Sequence, residues 1–138
     1  MNNGRAASWR GQISRWGPAV LMMAVIFTAS SFPGQDLPNF RLWDRLVKKG
    51  GHMVGYALLA MACAHGLASG ARPTRRQLLM AVVLAGLYGV TDEFHQLFVA
   101  GRGAAATDVV IDTVGATVGA WSLSLWWRGR RTNPNSQL

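Results

Sequence analysis

Charge is scarce in this chain of 138 residues, and acidic charge is scarcest. Only 14% of the residues are charged, against about 25% in an ordinary soluble domain, which is too little to coat a globule of this size. The 14 basic residues outnumber the 6 acidic ones and give a formal charge of +8. Such a balance can indicate nucleic-acid binding, but the basic residues are scattered between long apolar runs. We therefore predict a membrane protein with no nucleic-acid partner.

Cysteine is also nearly absent, because Cys63 is the single one. One thiol excludes an internal disulfide framework and a zinc site built on cysteines. The histidines and carboxylates show no metal-ligand spacing, and no glycine-rich phosphate loop of the Walker type occurs. We therefore predict no metal and no cofactor. Intrinsic disorder is excluded by the hydrophobic content of 50%.

Long apolar runs make up most of the chain. A membrane-spanning helix needs about 20 mostly apolar residues, and lipid offers no partners for unpaired backbone groups. We therefore predict an all-α integral membrane protein, a bundle of four transmembrane helices with short loops. The runs are approximately Trp16–Phe32, Gly51–Ala68, Leu78–Ala100 and Asp108–Trp127. The segment FRLWDRLVKK before the second run is expected to be a short amphipathic piece at the membrane interface.

Lysine and arginine are distributed unequally over the links and ends. The two ends and the second link hold nine of them, whereas the first and third links hold five. The positive-inside rule therefore predicts that both termini are cytoplasmic. All six acidic residues then lie in the outer loops or at the outer ends of the helices. Residues 1–15 and 128–138 are interpreted as basic tails that flank a membrane domain at 16–127.

One stripe of polar and small residues runs along each of the last three helices. Small residues let helix backbones approach closely, so we expect the stripes to face one another, with glycines in the deep half and polar groups near the outer surface. Spacings of three and four place residues on one helical face. The stripes are Lys49, His52 and Tyr56; Gly86, Gly89, Glu93 and Gln96; and Asp108, Asp112, Gly115 and Gly119.

The polar ends of these stripes are candidates for a functional site. A charged side chain at the centre of a span costs about 2.5–3.5 kcal/mol on insertion scales. Asp112 lies one turn, about 6 Å, below Asp108, so we expect it to face Arg102, Lys49 or a protonated His52. Asp108 has an equally simple alternative role as the cap of the fourth helix.

The basic part of this set suits an anionic lipid head group or phosphate, and the same set can supply acid–base chemistry. Asp92 and His95 are expected to be polar groups at the edge of a loop. The candidate catalytic residues are Glu93, Asp108 and His52. The candidate ligand-binding residues are Lys49, Tyr56, Gln96, Arg102 and Asp112, and the candidate packing residues are Gly86, Gly89, Gly115 and Gly119.

Two stretches, KKGGHMVGYALLA and DEFHQLFVAGRGAAATDVVIDTVGATVG, resemble the VanZ-like family of small bacterial membrane proteins. The first carries Lys-x-x-His-x-x-x-Tyr and the second carries Glu-x-x-Gln-x-Phe followed by Gly-Arg. The resemblance extends from Ser30 to Gly119. The sequence departs from the family pattern at Ala100, where proline is frequent, and at Asp112, where many members have asparagine.

The resemblance implies a multi-pass protein of the bacterial cytoplasmic membrane, from a family linked to low-level resistance to the glycopeptide teicoplanin. Our first functional hypothesis is a protein that binds, with or without modifying it, an anionic cell-envelope lipid or lipid-linked precursor. The alternative is a non-catalytic structural or assembly protein whose polar residues only tie helices together. A small carrier is less favoured, because no charged residue continues into the cytoplasmic half of the spans. The oligomeric state stays open.

Overall fold

Four helices account for nearly all of the chain that the structure, a computed structural model, describes, namely residues 3–33 and 44–130. All four are long and apolar enough to cross a membrane, and the described ranges contain no strand. The predicted all-α membrane bundle is therefore confirmed. The helices are α1 (Asn3–Ser31), α2 (Asp44–Ala68), α3 (Arg75–Gln96) and α4 (Ala106–Gly129).

The helix boundaries differ from the predicted ones in several places. Helix α1 begins at Asn3, inside the segment interpreted as a basic tail. Helix α2 begins at Asp44, so the second half of the predicted amphipathic piece belongs to the spanning helix. The first half of that piece, residues 40–43, lies outside the described ranges, and so do residues 131–138 of the predicted C-terminal tail. Helix α3 ends at Gln96 instead of Ala100, because the following residues form tight turns that lead to Gly101 with φ +71°.

The start of α3 is fixed by local hydrogen bonds that the sequence encodes. The Thr74 hydroxyl accepts from the Gln77 backbone N–H, and the Gln77 side chain accepts from the Thr74 backbone N–H at 2.8 Å, which is a capping box. The Gln77 amide also donates to the Leu67 carbonyl near the end of α2 at 2.9 Å. Gly70 adopts φ +81° in the link, where a side chain would be strained. The turn therefore sets α2 and α3 antiparallel.

The interior of the bundle is built from small residues, and the large apolar side chains point outward. The exposed large side chains include Leu79 at 68% and Leu87 at 60%. This distribution is the reverse of a soluble core and suits a bundle whose surface meets lipid. The buried alanines are Ala19, Ala60, Ala64, Ala68, Ala81, Ala85, Ala116 and Ala120.

Helices α2 and α4 make the closest approach in the bundle. A Cβ atom built on Gly115 would overlap the Met53 carbonyl oxygen and lie 2.9 Å from the Met53 Cα. A Cβ atom on Gly119 would overlap the Ala57 carbonyl oxygen and lie 2.7 Å from the Ala57 Cα. The two backbones therefore touch along one turn, which only glycine at both positions of α4 allows.

The helix ends that carry the polar residues meet at one end of the bundle. The carboxyl-terminal ends of α1 and α3 lie there together with the amino-terminal ends of α2 and α4. Ser30 of α1 contacts Asp92 of α3, and Lys49 of α2 contacts Asp108 of α4. We call this the polar end.

Candidate functional site

A cavity of about 550 Å³ opens at the polar end between α1, α2, α4 and the link from α3 to α4. Its walls combine basic, acidic and apolar side chains. Every candidate ligand-binding residue lines it, and so do His52 and Asp108. We call it the polar-end cavity, and its lining consists of Met22, Val25, Ile26, Ala29, Lys48, Lys49, Gly51, His52, Gly55, Tyr56, Gln96, Gly101, Arg102, Gly103, Asp108, Ile111 and Asp112.

Lys49 and Asp108 form an ion pair between α2 and α4 at the cavity. The Lys49 Nζ lies 2.6 Å from Asp108 Oδ1, and both side chains are partly exposed, at 43% and 32%. Asp108 lies in the first turn of α4, where the helix dipole favours a carboxylate. The alternative prediction, that Asp108 caps α4, is wrong. The N-cap residue of α4 is Ala105, and no side chain caps the helix there.

Arg102 holds the end of α1 against the link between α3 and α4. Its Nε donates to the Phe32 carbonyl at 3.0 Å and its Nη2 to the Ala29 carbonyl at 3.0 Å. Its Nη1 donates to Gln96 Oε1 at 3.3 Å. A guanidinium at the carboxyl end of a helix satisfies carbonyls that lack an intrahelical partner and complements the helix dipole. The partner set of Arg102 thus includes the backbone of α1, which sequence reasoning missed because it considered only the last three helices.

His52, Tyr56 and Asp112 form the floor of the cavity. His52 Nδ1 lies 3.6 Å from Asp112 Oδ1, so of the three cations expected for Asp112, the histidine is the one beside it. The His52 and Tyr56 rings stack with centroids 6.3 Å apart. Tyr56 and Asp112 are fully buried. Sequence reasoning placed Tyr56 on this face but not at this depth.

Glu93 is buried beside the cavity rather than on its wall. Its Oε2 accepts from the Ala105 backbone N–H at 2.9 Å, and its Oε1 accepts from the Gln96 amide at 3.3 Å. Ala105 is the N-cap residue of α4 and has no side chain able to cap. Glu93 therefore satisfies a backbone donor at the start of α4 and fixes the link there.

Replacing Glu93 with alanine is expected to lower the melting temperature, because the part-buried Ala105 N–H would lose its acceptor. An unpaired donor costs about 1–3 kcal/mol when it is fully buried, which is the upper limit here. Glu93→Gln keeps a carbonyl oxygen for the Ala105 N–H and should melt close to the wild type. Thermal unfolding of the purified protein in detergent measures both. A capping role is contradicted if Glu93→Gln is as unstable as Glu93→Ala, or if both melt like the wild type.

Asp92 was interpreted as a loop-edge group, and that interpretation is wrong. Asp92 is 2% exposed. Its Oδ2 accepts from the fully buried Ser30 hydroxyl at 2.8 Å and from the Gln96 amide at 3.0 Å. Helix α1 packs on this face of α3. Asp92, which points away from the three predicted stripes, therefore contacts α1. The signal available in the sequence was a pair of serines at the end of the first apolar run.

His95 is partly exposed and contacts α1 as well. Its Nε2 lies 3.1 Å from the Ser31 hydroxyl, and its ring lies against Phe27 with centroids 4.4 Å apart. This pair lies outside the lining of the polar-end cavity. His95 therefore helps to attach α1 to α3 near the loop where it was expected.

The four candidate packing glycines differ in what surrounds them. Gly115 and Gly119 lie against the backbone of α2. A Cβ atom on Gly89 would be 3.5 Å from the Tyr56 ring and 3.6 Å from Asp112, and one on Gly86 would be 3.4 Å from the Thr113 hydroxyl. Only the α4 glycines therefore permit contact between two backbones.

Across residues 3–33 and 44–130, no three His, Cys, Asp or Glu side chains group as metal ligands do.

A comparison with family models matches residues 16–127 to the model described as VanZ/LLP1. The match covers all four apolar runs and every residue of the polar-end cavity. No curated protein and no solved structure matches the chain.

Proposed function

The chain belongs to the VanZ/LLP1 family, and from this premise we propose that it binds an anionic cell-envelope lipid or lipid-linked precursor in its polar-end cavity. It is a VanZ-like membrane protein, from a family linked to glycopeptide resistance. The proposal places the cavity at the extracytoplasmic face of the bacterial cytoplasmic membrane, as the lysine and arginine distribution predicts.

The proposal is carried by two cations whose hydrogen-bond donors are not all accepted by groups within residues 3–33 and 44–130. A guanidinium has five N–H donors, and Arg102 directs three of them to the acceptors described above. An ammonium has three, and Lys49 gives one to Asp108. The remaining donors belong to cavity-lining cations, and charge-assisted bonds from Arg and Lys are the usual means of holding a phosphate.

The opposite wall of the cavity suits the apolar part of a lipid. Helix α1 contributes Met22, Val25 and Ile26 to the lining. Val25 is also 51% exposed on the outer surface of the bundle, which meets lipid. A ligand with a charged head and an apolar chain can therefore reach the cations from within the membrane. A soluble anion has no apolar part that could pack against this wall.

Modification of the bound lipid would depend on the cavity-lining part of the candidate catalytic set. His52 beside Asp112 has the composition of an acid–base pair, and Asp108 lies at the same cavity. Glu93 uses both carboxylate oxygens in structural bonds, so we assign it a positioning role for α4. Binding is the proposed function, and His52 is the residue through which a reaction would proceed.

The proposal is tested with Lys49→Gln and a matched variant at the opposite end, Arg76→Gln. Each removes one positive charge, but Arg76 lies at the start of α3, far from the cavity. We expect phosphatidylglycerol to stabilise the wild type more than phosphatidylcholine with the same acyl chains. Lys49→Gln should weaken phosphatidylglycerol binding about fivefold, since one basic residue near an anionic lipid contributes about 1 kcal/mol.

Native mass spectrometry of the protein with each lipid, together with its melting temperature, measures the effect. Arg76→Gln should bind phosphatidylglycerol like the wild type. Equal loss in both variants would mean that only net charge matters, and no preference for the anionic lipid in the wild type would refute the proposal.

A non-catalytic structural role is the second candidate, and the bonding of the polar groups favours it. Arg102, Glu93 and Asp92 each join two different elements of the bundle. This candidate predicts that variants at these positions lose phenotype in proportion to their loss of stability or abundance. A binding site predicts folded Lys49→Gln protein that has lost its lipid.

A further inference from the structure

The floor of the polar-end cavity holds buried polar oxygens that form no hydrogen bond with the rest of the described chain. The two carboxylate oxygens of Asp112 and the Tyr56 hydroxyl form no hydrogen bond within residues 3–33 and 44–130. Both side chains are fully buried and both line the cavity. Buried polar groups are nearly always hydrogen-bonded, because leaving one unpaired costs free energy. Their common position therefore points to a ligand group that reaches the floor.

Tyr56 and Asp112 both approach one position of α3, Gly89. A single point beside Gly89 lies 3.5 Å from the Tyr56 Cε1 and 3.6 Å from Asp112 Oδ2. The tyrosine ring and the carboxylate therefore lie against the same residue of α3. His52 also lies beside Asp112, with 3.6 Å between Nδ1 and Oδ1, which is beyond hydrogen-bond distance.

The chemistry of the floor differs from that of the mouth. Lys49 and Arg102 offer donors and positive charge at the mouth. At the floor Asp112 offers acceptors and negative charge, with the His52 ring beside it but not hydrogen-bonded to it. A phosphate alone fits the mouth and would be repelled by the floor. A hydroxyl would supply one donor and no charge, whereas a primary ammonium supplies three donors and a full positive charge. The two Asp112 oxygens and the Tyr56 oxygen are three acceptors.

We propose that the bound lipid carries a primary ammonium group beside its phosphate, and that Asp112 and Tyr56 bind this ammonium on the cavity floor. The inference rests on the phosphate site of the proposed function and changes the favoured ligand from a net anionic lipid to a zwitterionic one, an amino-bearing phospholipid or lipid-linked precursor. The phosphate lies with Lys49 and Arg102 at the mouth, and the ammonium lies one turn deeper along α4. That turn is a rise of about 6 Å, which a short linker between phosphorus and nitrogen spans.

Three lipids with identical acyl chains separate the two halves of the site. Phosphatidylethanolamine and phosphatidylcholine have the same phosphate and the same net charge, but the trimethylammonium of the latter has no N–H donor. Phosphatidylglycerol presents the phosphate without any ammonium. We expect the wild type to bind phosphatidylethanolamine about tenfold more tightly than phosphatidylcholine, as charge-assisted hydrogen bonds of about 1.5 kcal/mol or more imply. Native mass spectrometry with competing lipids measures the ratio.

Two conservative variants test the floor itself. Asp112→Asn keeps the shape but removes the charge, and it should bring the preference for phosphatidylethanolamine over phosphatidylcholine close to one. Tyr56→Phe removes one acceptor and should lower the preference about threefold. Both should still bind phosphatidylglycerol at least as tightly as the wild type, which shows that they are folded. Lys49→Gln should weaken all three lipids and leave the preference unchanged.

The outcomes distinguish the inference from the function on which it rests. If lipid binding depends on Lys49 but the wild type does not prefer phosphatidylethanolamine to phosphatidylcholine, the ammonium site is refuted and the phosphate site stands. The same holds if the preference survives in both Asp112→Asn and Tyr56→Phe. If Lys49→Gln changes the binding of none of the three lipids, the proposed function itself is wrong.

Discussion

Alanine at position 115 or 119 should lower the melting temperature by roughly 5–10 °C, since overpacking a tight interior costs about 1–3 kcal/mol. The added methyl group would meet backbone of α2, namely the carbonyls of Met53 and Ala57. A side chain can rotate away from a new neighbour, but a helix backbone moves only if the whole helix moves. Helices α2 and α4 would therefore separate, and the floor between them would widen.

Alanine at Gly86 or Gly89 is the matched control, because the same methyl group meets side-chain atoms at 3.4 Å or more. Thr113 next to Gly86 needs to shift by only a few tenths of an ångström, and alanine is a better helix former than glycine. These variants should melt within a few degrees of the wild type. Thermal unfolding in one detergent compares all four. Equal effects at the four positions would show that the α2–α4 contact does not determine stability.

Arg102→Ala should have a large effect on stability, because it removes three hydrogen bonds from one charged group. Each bond to a charged group contributes about 1.5–3 kcal/mol, although their effects are not additive. We expect a loss of at least about 3 kcal/mol and separation of the end of α1 from the loop. Phosphatidylglycerol binding should fall as well, because the same side chain lines the cavity.

Arg102→Lys separates these two roles. A lysine keeps the charge but has a single nitrogen, which cannot reach acceptors on Ala29, Phe32 and Gln96 together. Arg102→Lys should therefore retain most of the phosphatidylglycerol binding. It should lose most of the stability that the three guanidinium hydrogen bonds contribute. Arg128→Ala removes an exposed arginine near the end of α4, at the opposite end of the bundle, and serves as the control. Wild-type melting of Arg102→Lys would contradict the structural role of the guanidinium.

Hydrophobic patterning predicted the number and type of the helices, because a span in lipid must satisfy its own backbone. Spacings of three and four also predicted which residues share a face. The lining of one cavity by Lys49, His52, Tyr56, Asp108 and Asp112 agrees with that expectation. Helix ends were predicted less well, as the early end of α3 shows. Turn residues such as Gly101 act over a few positions, whereas hydropathy is averaged over a whole run.

The part played by α1 could not be predicted in this way. Its apolar run has no polar stripe, so nothing in its periodicity indicates that Ser30 would meet Asp92 or that its terminal carbonyls would bind Arg102. Those contacts depend on which face of α3 lies against α1. The same is true of Glu93, whose partner is a backbone N–H in a loop. A backbone donor leaves no trace in the identity of a residue.

The sequence alone thus determined that the chain is a four-helix membrane bundle and that the polar positions of its last three helices share one face on each helix. Both follow from a strong local force, the cost of placing backbone or charge in hydrocarbon. The tertiary structure decided the pairing at the polar end: Lys49 with Asp108, Arg102 with α1, and Asp112 left facing the cavity beside His52. Pairing depends on a few ångströms of helix rotation and depth, and the sequence fixes these only through the packing of all four helices together.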